Sequence, residues 1–120
     1  MKKMLITIAI LNVCALPALG QDSVRVKDEQ TYRSLVADKK WEHSWGKTWV
    51  KVNSDGTFEG DSPNGKLKGT WYWKGSKWCR TGQVGKTVLK EECQKMYMIG
   101  SHILKNVTKN APKGNYYYAN

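Results

Sequence analysis

Polar and apolar residues alternate most cleanly in the stretch GKLKGTWYWKGSKWCRTG, residues 65–82. Leu67, Gly69, Trp71 and Trp73 share one parity, while Lys66, Lys68, Thr70, Tyr72 and Lys74 share the other. A period of two with one apolar and one wet side marks a half-buried antiparallel strand. Lys74-Gly75-Ser76 then turns the chain, and Lys77 to Arg80 begins a second strand carrying Trp78 and Cys79. Weaker versions of the same signal flank this pair. TWVKV (48–52) stops at the turn-forming Asn53-Ser54-Asp55-Gly56, and TFEG runs into the loop DSPNG (61–65). KTVLK and ECQKMYMIG follow, then HILKNVT (102–108), an Asn/Pro/Gly break at 110–114, and YYY (116–118) as a last strand. Upstream, Tyr32, Leu35, Val36 and Lys39 fall on one helical stripe behind Asp28 as N-cap, which predicts one or two turns of helix. Six to eight short strands at spacings of roughly ten residues, with no helix after residue 41, predict an all-β fold. The expected architecture is a small antiparallel barrel or sandwich with a short N-terminal helix.

In such a fold Leu67, Trp71 and Trp73 are core. Together they bury several hundred Å², worth roughly several kcal/mol at about 25 cal/mol per Å². The lysines between them form the strand's solvent face, which also discourages edge-to-edge pairing.

The start of the chain reads differently. MKKMLITIAILNVCALPALGQD has a basic opening (Lys2, Lys3), an apolar run from Met4 to Leu16, and a helix-breaking Pro17 before Ala18-Leu19-Gly20. That is the layout of a secretory signal peptide cleaved after Gly20. The apolar run is short for a membrane span, and no second one follows. Lipidation at Cys14 is disfavoured because Val13 and Asn12 precede it, where a small residue is needed. The expected organisation is a signal peptide at 1–20, an N-terminal segment with a short helix at 21–41, and a β domain at 42–120. The expected location is periplasmic or secreted, with no transmembrane segment after signal removal.

Export changes the reading of the cysteines. Cys79 and Cys93 remain after Cys14 is removed, an even number in an oxidising compartment. A disulfide between them stabilises the fold by roughly 3 kcal/mol through loop entropy. Their spacing fits no CxxC redox or metal pair, and neither His43 nor His102 lies at a ligand spacing from them, so no metal site and no cofactor are expected.

Read with the strands in place, Gly69-Thr70-Trp71-Tyr72-Trp73, Cys79-Arg80 and Cys93-Gln94 resemble a group of small exported alphaproteobacterial proteins. That group shares a GTWxW…CR…CQ pattern and is filed under domains of unknown function. The resemblance spans about residues 30–118. It implies a secreted or periplasmic β domain with a disulfide, and it brings no activity. The GTW element is also similar to calycin and lipocalin-like barrels, which are longer and less basic than this chain.

Candidate chemistry is sparse. Glu42, His43 and Ser44 are adjacent, so in an extended segment they point to opposite faces and cannot form a relay. Glu59 and Asp61 share a strand face beside a turn, which suits solvated carboxylates better than an acid–base pair. No nucleophile elbow, metalloprotease helix or phosphate-binding loop is present. No catalytic residue is expected, and the protein is read as a non-enzyme.

Charge is the more informative feature. Lys+Arg number 20 against 10 Asp+Glu, for a formal net charge of +10. Lys66, Lys68, Lys74, Lys77, Arg80 and Lys95 are the candidate anion-binding residues, with Trp49 and Tyr72 as aromatic contacts on outward faces. Export argues against nucleic acid as the partner. The leading expectation is a non-catalytic binding domain that engages an anionic envelope lipid or glycan, or an acidic protein, through this basic face. Two alternatives stand beside it: a carrier of a small apolar ligand in the barrel interior, and an inhibitor of an acidic secreted enzyme. The oligomeric state is not legible.

Overall fold

The computed structural model describes residues 22–119, so the expected leader lies outside the described residues. Nine strands and one helix follow in the order β1 (Ser23–Val26), α1 (Glu29–Val36), β2 (Lys40–His43), β3 (Trp49–Val52), β4 (Thr57–Ser62), β5 (Gly65–Lys74), β6 (Lys77–Val84), β7 (Thr87–Ile99), β8 (Ile103–Val107) and β9 (Asn115–Ala119). From β2 to β9 every strand pairs antiparallel with the next, and β9 returns to pair with β2. The result is a closed eight-stranded up-and-down barrel, which leaves no free edge at the closing seam.

The expected small all-β barrel with an N-terminal helix is therefore the fold. The strand count exceeds the expectation of six to eight because residues 22–41 hold more than a helix. β1 is a ninth strand lying along the second half of β7, from Ser23 opposite Ile99 to Val26 opposite Met96. β6 occupies the same edge of β7 in its first half. Four residues are too few to show a periodicity, and β1 is stable only through this docking. The Arg25 guanidinium adds a tether, donating to the Ser76 carbonyl at 2.9 Å and to its hydroxyl at 3.1 Å. β2 likewise begins at Lys40, ahead of Trp41.

Helix α1 forms where local signals agree. Asp28 caps its start by accepting from the Thr31 amide at 2.9 Å, and Glu29 pairs with Arg33 one turn on at 2.8 Å. The helix ends because Ala37 is extended and Asp38 adopts a positive φ of 65°. Its buried face, Tyr32 and Val36, stoppers one end of the barrel. The Tyr32 ring lies 5.6 Å from Trp71, 5.2 Å from Trp73 and 6.4 Å from Trp78, centroid to centroid. Burying an aromatic ring of this size contributes roughly 2–3 kcal/mol. Burial also holds the Tyr32 hydroxyl well above its ordinary pKa, so it stays protonated. Trp41 fixes the other side of the plug by donating its Nε1–H to the Val36 carbonyl at 3.0 Å.

Inside, Val52, Phe58, Trp71, Trp78, Met96, Met98 and Leu104 complete the core around Tyr32. Two glycines make room for Phe58. Gly69 and Gly82 face each other across β5 and β6, and a Cβ on Gly69 would stand 2.6 Å from the Phe58 ring. A Cβ on Gly82 would likewise stand 2.9 Å from the ring, so neither position has room for a side chain.

The plugged end is fastened by carboxylates. Asp38 accepts from the Ser54 hydroxyl and, at 3.0 Å, from the Ser54 amide, joining the end of α1 to the β3–β4 turn. Asp55 accepts from the Thr57 hydroxyl at 2.6 Å and from its amide at 2.9 Å. These bonds, with the Thr31 amide on Asp28, hold all three carboxyls below the ordinary aspartate value of 3.8. A group whose folded pKa is depressed adds stability that is complete above its unfolded value and is lost as pH falls through its folded one. The unfolding midpoint in urea is accordingly expected to hold steady down to about pH 5 and to drop steeply between about pH 4 and 2. Replacing Asp28, Asp38 and Asp55 by Asn should flatten that drop. An equally steep loss in the triple variant, followed by circular dichroism, would contradict this assignment.

Candidate functional site

Cys79 and Cys93 stand directly opposite each other on β6 and β7 and are joined by a disulfide, with Cα atoms 4.0 Å apart. The bond lies on the outer face, because Trp78 and Arg80 on either side of Cys79 point inward. Tyr72, opposite Cys79 on β5, extends its phenol across β6 to donate to the Glu91 carboxylate. Cys79 is thereby fully buried while Cys93 remains exposed. Trp71 is buried, whereas Leu67 and Trp73, also inward, are only half-buried near the barrel ends.

The expected basic face is divided. Lys66 and Lys68 do point outward, but Lys66 faces Asp61 and Lys68 faces Glu59 across the β4–β5 ladder. Opposite charges in such register neutralise each other's far field. Lys74 and Lys77 oppose each other across the β5–β6 turn, and Lys95 lies on β7 opposite Val107. Trp49 is outward, with the Lys40 ammonium 4.9 Å from its ring centre. Tyr72 is occupied with Glu91. Arg80 departs from the expected face altogether. It sits opposite Trp71, whose parity is inward, and so projects into the barrel.

That inward arginine heads a chain of polar contacts. Its guanidinium donates to Glu92 at 3.0 Å and to the Lys90 carbonyl at 2.6 Å. The same Glu92 oxygen accepts from the Gln94 amide at 2.9 Å, and the Gln94 oxygen accepts from Asn106 at 2.8 Å. Three strands, β6, β7 and β8, thus each place polar side chains on the inner wall. Tyr117 on β9 completes the ring; burial raises its phenol pKa, and the nearby Arg80 charge partly offsets that.

These residues line a cavity of about 410 Å³ inside the barrel. Its deep wall is Tyr32, Trp41, Val52, Trp78, Met96 and Leu104. Its upper wall carries the polar chain, with Leu67, Leu89 and the β8–β9 loop at the opening. The cavity opens at the end opposite α1, so the barrel is a cup. A shallow cleft beside the opening runs between Lys90–Cys93 and Lys109–Asn110, where β8 pairs with β7 only from Lys95 onward. Two polar atoms on lining residues, Trp78 Nε1 and Asn106 Oδ1, are buried without a hydrogen-bond partner. Each such donor or acceptor costs about 1–3 kcal/mol when left unmatched.

Arg80 is expected outside and is found inside. Glu92, Asn106 and Tyr117 are not among the expected site residues, and Gln94 enters the expectation only through the Cys93-Gln94 element of the resemblance. A signal for two of them was present: Glu92, Gln94, Met96 and Met98 share one parity in a strand whose other parity holds Glu91, Cys93 and Lys95. Compared with protein-family models, curated proteins and solved structures, the chain matches none.

The side chains of Arg80 and Glu92 are only 15% and 26% exposed, so their mutual attraction is screened less than that of a surface pair. A double-mutant cycle with Arg80→Gln and Glu92→Gln, read by urea unfolding, should give a coupling of about 1–2 kcal/mol. A coupling of zero would show that the pair contributes nothing to the inner wall.

Proposed function

We propose that the chain is a non-catalytic binding protein that holds one small amphipathic molecule in the barrel, apolar body downward and polar or anionic end at Arg80. The observation that carries this reading is the graded wall of the cavity. Aromatic and aliphatic side chains line its depth, and a single guanidinium, half-buried and paired with Glu92, stands above them. A volume near 400 Å³ lies within the usual range for small-molecule sites. Apolar lining with a few convergent polar groups is how such sites separate affinity from orientation. The unmatched Trp78 donor and Asn106 acceptor supply further partners for a polar ligand atom.

The alternative reading, an anionic envelope component bound on the outer basic face, draws support from the facing Lys74 and Lys77. It is weakened by the carboxylates opposite Lys66 and Lys68 and by the inward turn of Arg80. With the leader read from the sequence, and with an outer-face disulfide, we place the protein outside the cytoplasm. No helix among the described residues is long and apolar enough to cross a membrane.

Titration with dodecanoate and with dodecanol, followed by calorimetry, tests the interior reading. One molecule per chain is expected in both cases. Arg80→Gln should weaken dodecanoate about tenfold or more, the loss of a charge-assisted bond, and leave dodecanol nearly unchanged. Leu89→Trp, which fills the opening, should abolish both. Binding that survives Leu89→Trp, or no binding to either probe, would overturn the proposal.

A further inference from the structure

The four connections at the cavity's open end are residues 44–48, 63–64, 85–86 and 108–114. They contain Lys47, Lys86, Lys109 and Lys113, all exposed, and no Asp or Glu. The connections at the plugged end, by contrast, carry Asp38 and Asp55. The up-and-down topology therefore gathers four lysines in the connections around the opening. The carboxylates near it stand on the strands, where Asp61 faces Lys66, Tyr72 donates to Glu91 and Arg80 pairs with Glu92.

One side chain in these connections has no packing explanation. Trp45 is 88% exposed at the tip of the β2–β3 hairpin. The His43 ring meets it edge-on at 5.3 Å. Its position is nevertheless fixed. The Trp45 amide donates to His43 Nδ1 at 3.1 Å, the Gly46 amide to the His43 carbonyl at 2.8 Å, and Gly46 and Lys47 both take positive φ. A tight, hydrogen-bonded turn thus presents an indole outward. Val88, just past the β6–β7 turn on the far side of the mouth, is 74% exposed and gives the same end a second apolar point.

Projecting indole, isolated aliphatic side chain and four exposed lysines in connections that hold no Asp or Glu together fit one kind of partner. Indole rings partition to the headgroup layer of a bilayer, and juxtamembrane lysines add attraction to anionic lipid. We propose that the open end of the barrel docks onto an anionic lipid surface, with Trp45 inserted at headgroup depth and Lys47, Lys86, Lys109 and Lys113 on the phosphates. This orientation aims the cavity mouth at the membrane, but the docking itself does not depend on the interior being a ligand site.

Co-sedimentation of the purified protein with phosphatidylcholine vesicles containing about a third phosphatidylglycerol tests it, beside vesicles of phosphatidylcholine alone. Binding is expected only to the anionic vesicles, and it should fall as salt rises. At about fivefold per lysine, Lys86→Glu with Lys109→Glu should weaken it at least 25-fold. Charge reversal of Lys66, Lys68 and Lys74 on the barrel side should weaken it far less. Trp45→Ala should lower affinity further and remove the quenching of tryptophan fluorescence by brominated acyl chains. Leu89→Trp should leave vesicle binding intact even though it blocks the cavity, which separates this proposal from the interior reading. Equal losses from the rim and barrel-side reversals would reduce the effect to general basicity. Unchanged quenching in Trp45→Ala, or no binding to anionic vesicles, would overturn the docking geometry.

Discussion

Trp41 stands opposite Ala119, Glu42 opposite Tyr118 and His43 opposite Tyr117, and these pairs turn a curved sheet into a barrel. They join the two ends of the β2–β9 meander, so nearly the whole domain is the loop they close. Loop entropy makes such a contact costly to form, though the cost grows only slowly with length. Without the seam β2 and β9 would be open edges, and the inner faces of all eight strands would be wet. Trp41 shows how the seam is held. Its ring is almost fully buried in the barrel, and its Nε1–H reaches the last turn of α1. Closure and plugging are therefore one event as much as two.

The polar wall makes sense only inside that closed space. An arginine, a glutamate, a glutamine and an asparagine lining an open sheet would be ordinary solvated side chains. Enclosed, they must satisfy one another, and the chain from Asn106 through Gln94 and Glu92 to Arg80 does so with two exceptions nearby, Trp78 Nε1 and Asn106 Oδ1. A protein selected for stability alone would gain by filling this space with aliphatic side chains, since a buried ion pair contributes little net stability. The arrangement costs stability and leaves room, which is what a binding site requires.

Much of this is legible in the sequence. Alternation around Trp71 and Trp73 located β5 and its inward face, turn residues separated most strands, and Asp28 marked the start of α1. The cysteine pair followed from compartment and count. What escaped the reading has physical causes. β1 is four residues long and has no pattern apart from its place beside β7. Closure depends on a pairing between β2 and β9 that no local signal encodes. The inward turn of Arg80 was within reach, because the Gly75-Ser76 connection puts Lys77 opposite Lys74 and so Arg80 opposite Trp71. Composition obscured it: a strongly basic chain invites every cation to be counted on the outside.

The two ends of the barrel divide the work. Tyr32, the tryptophans and the hydrogen-bonded aspartates make the α1 end rigid and dry. The opposite end has a graded cavity below and lysines with an indole above. Since both depend on β9 meeting β2, the most direct measurement is at that seam. Nuclear Overhauser contacts between residues 41–43 and 117–119, in the register that sets Trp41 against Ala119, are expected together with slow amide exchange along both strands. Seam amides that exchange as fast as those of the turns, with no cross-strand contacts between 41–43 and 117–119, would show an open sheet and remove the cavity with it.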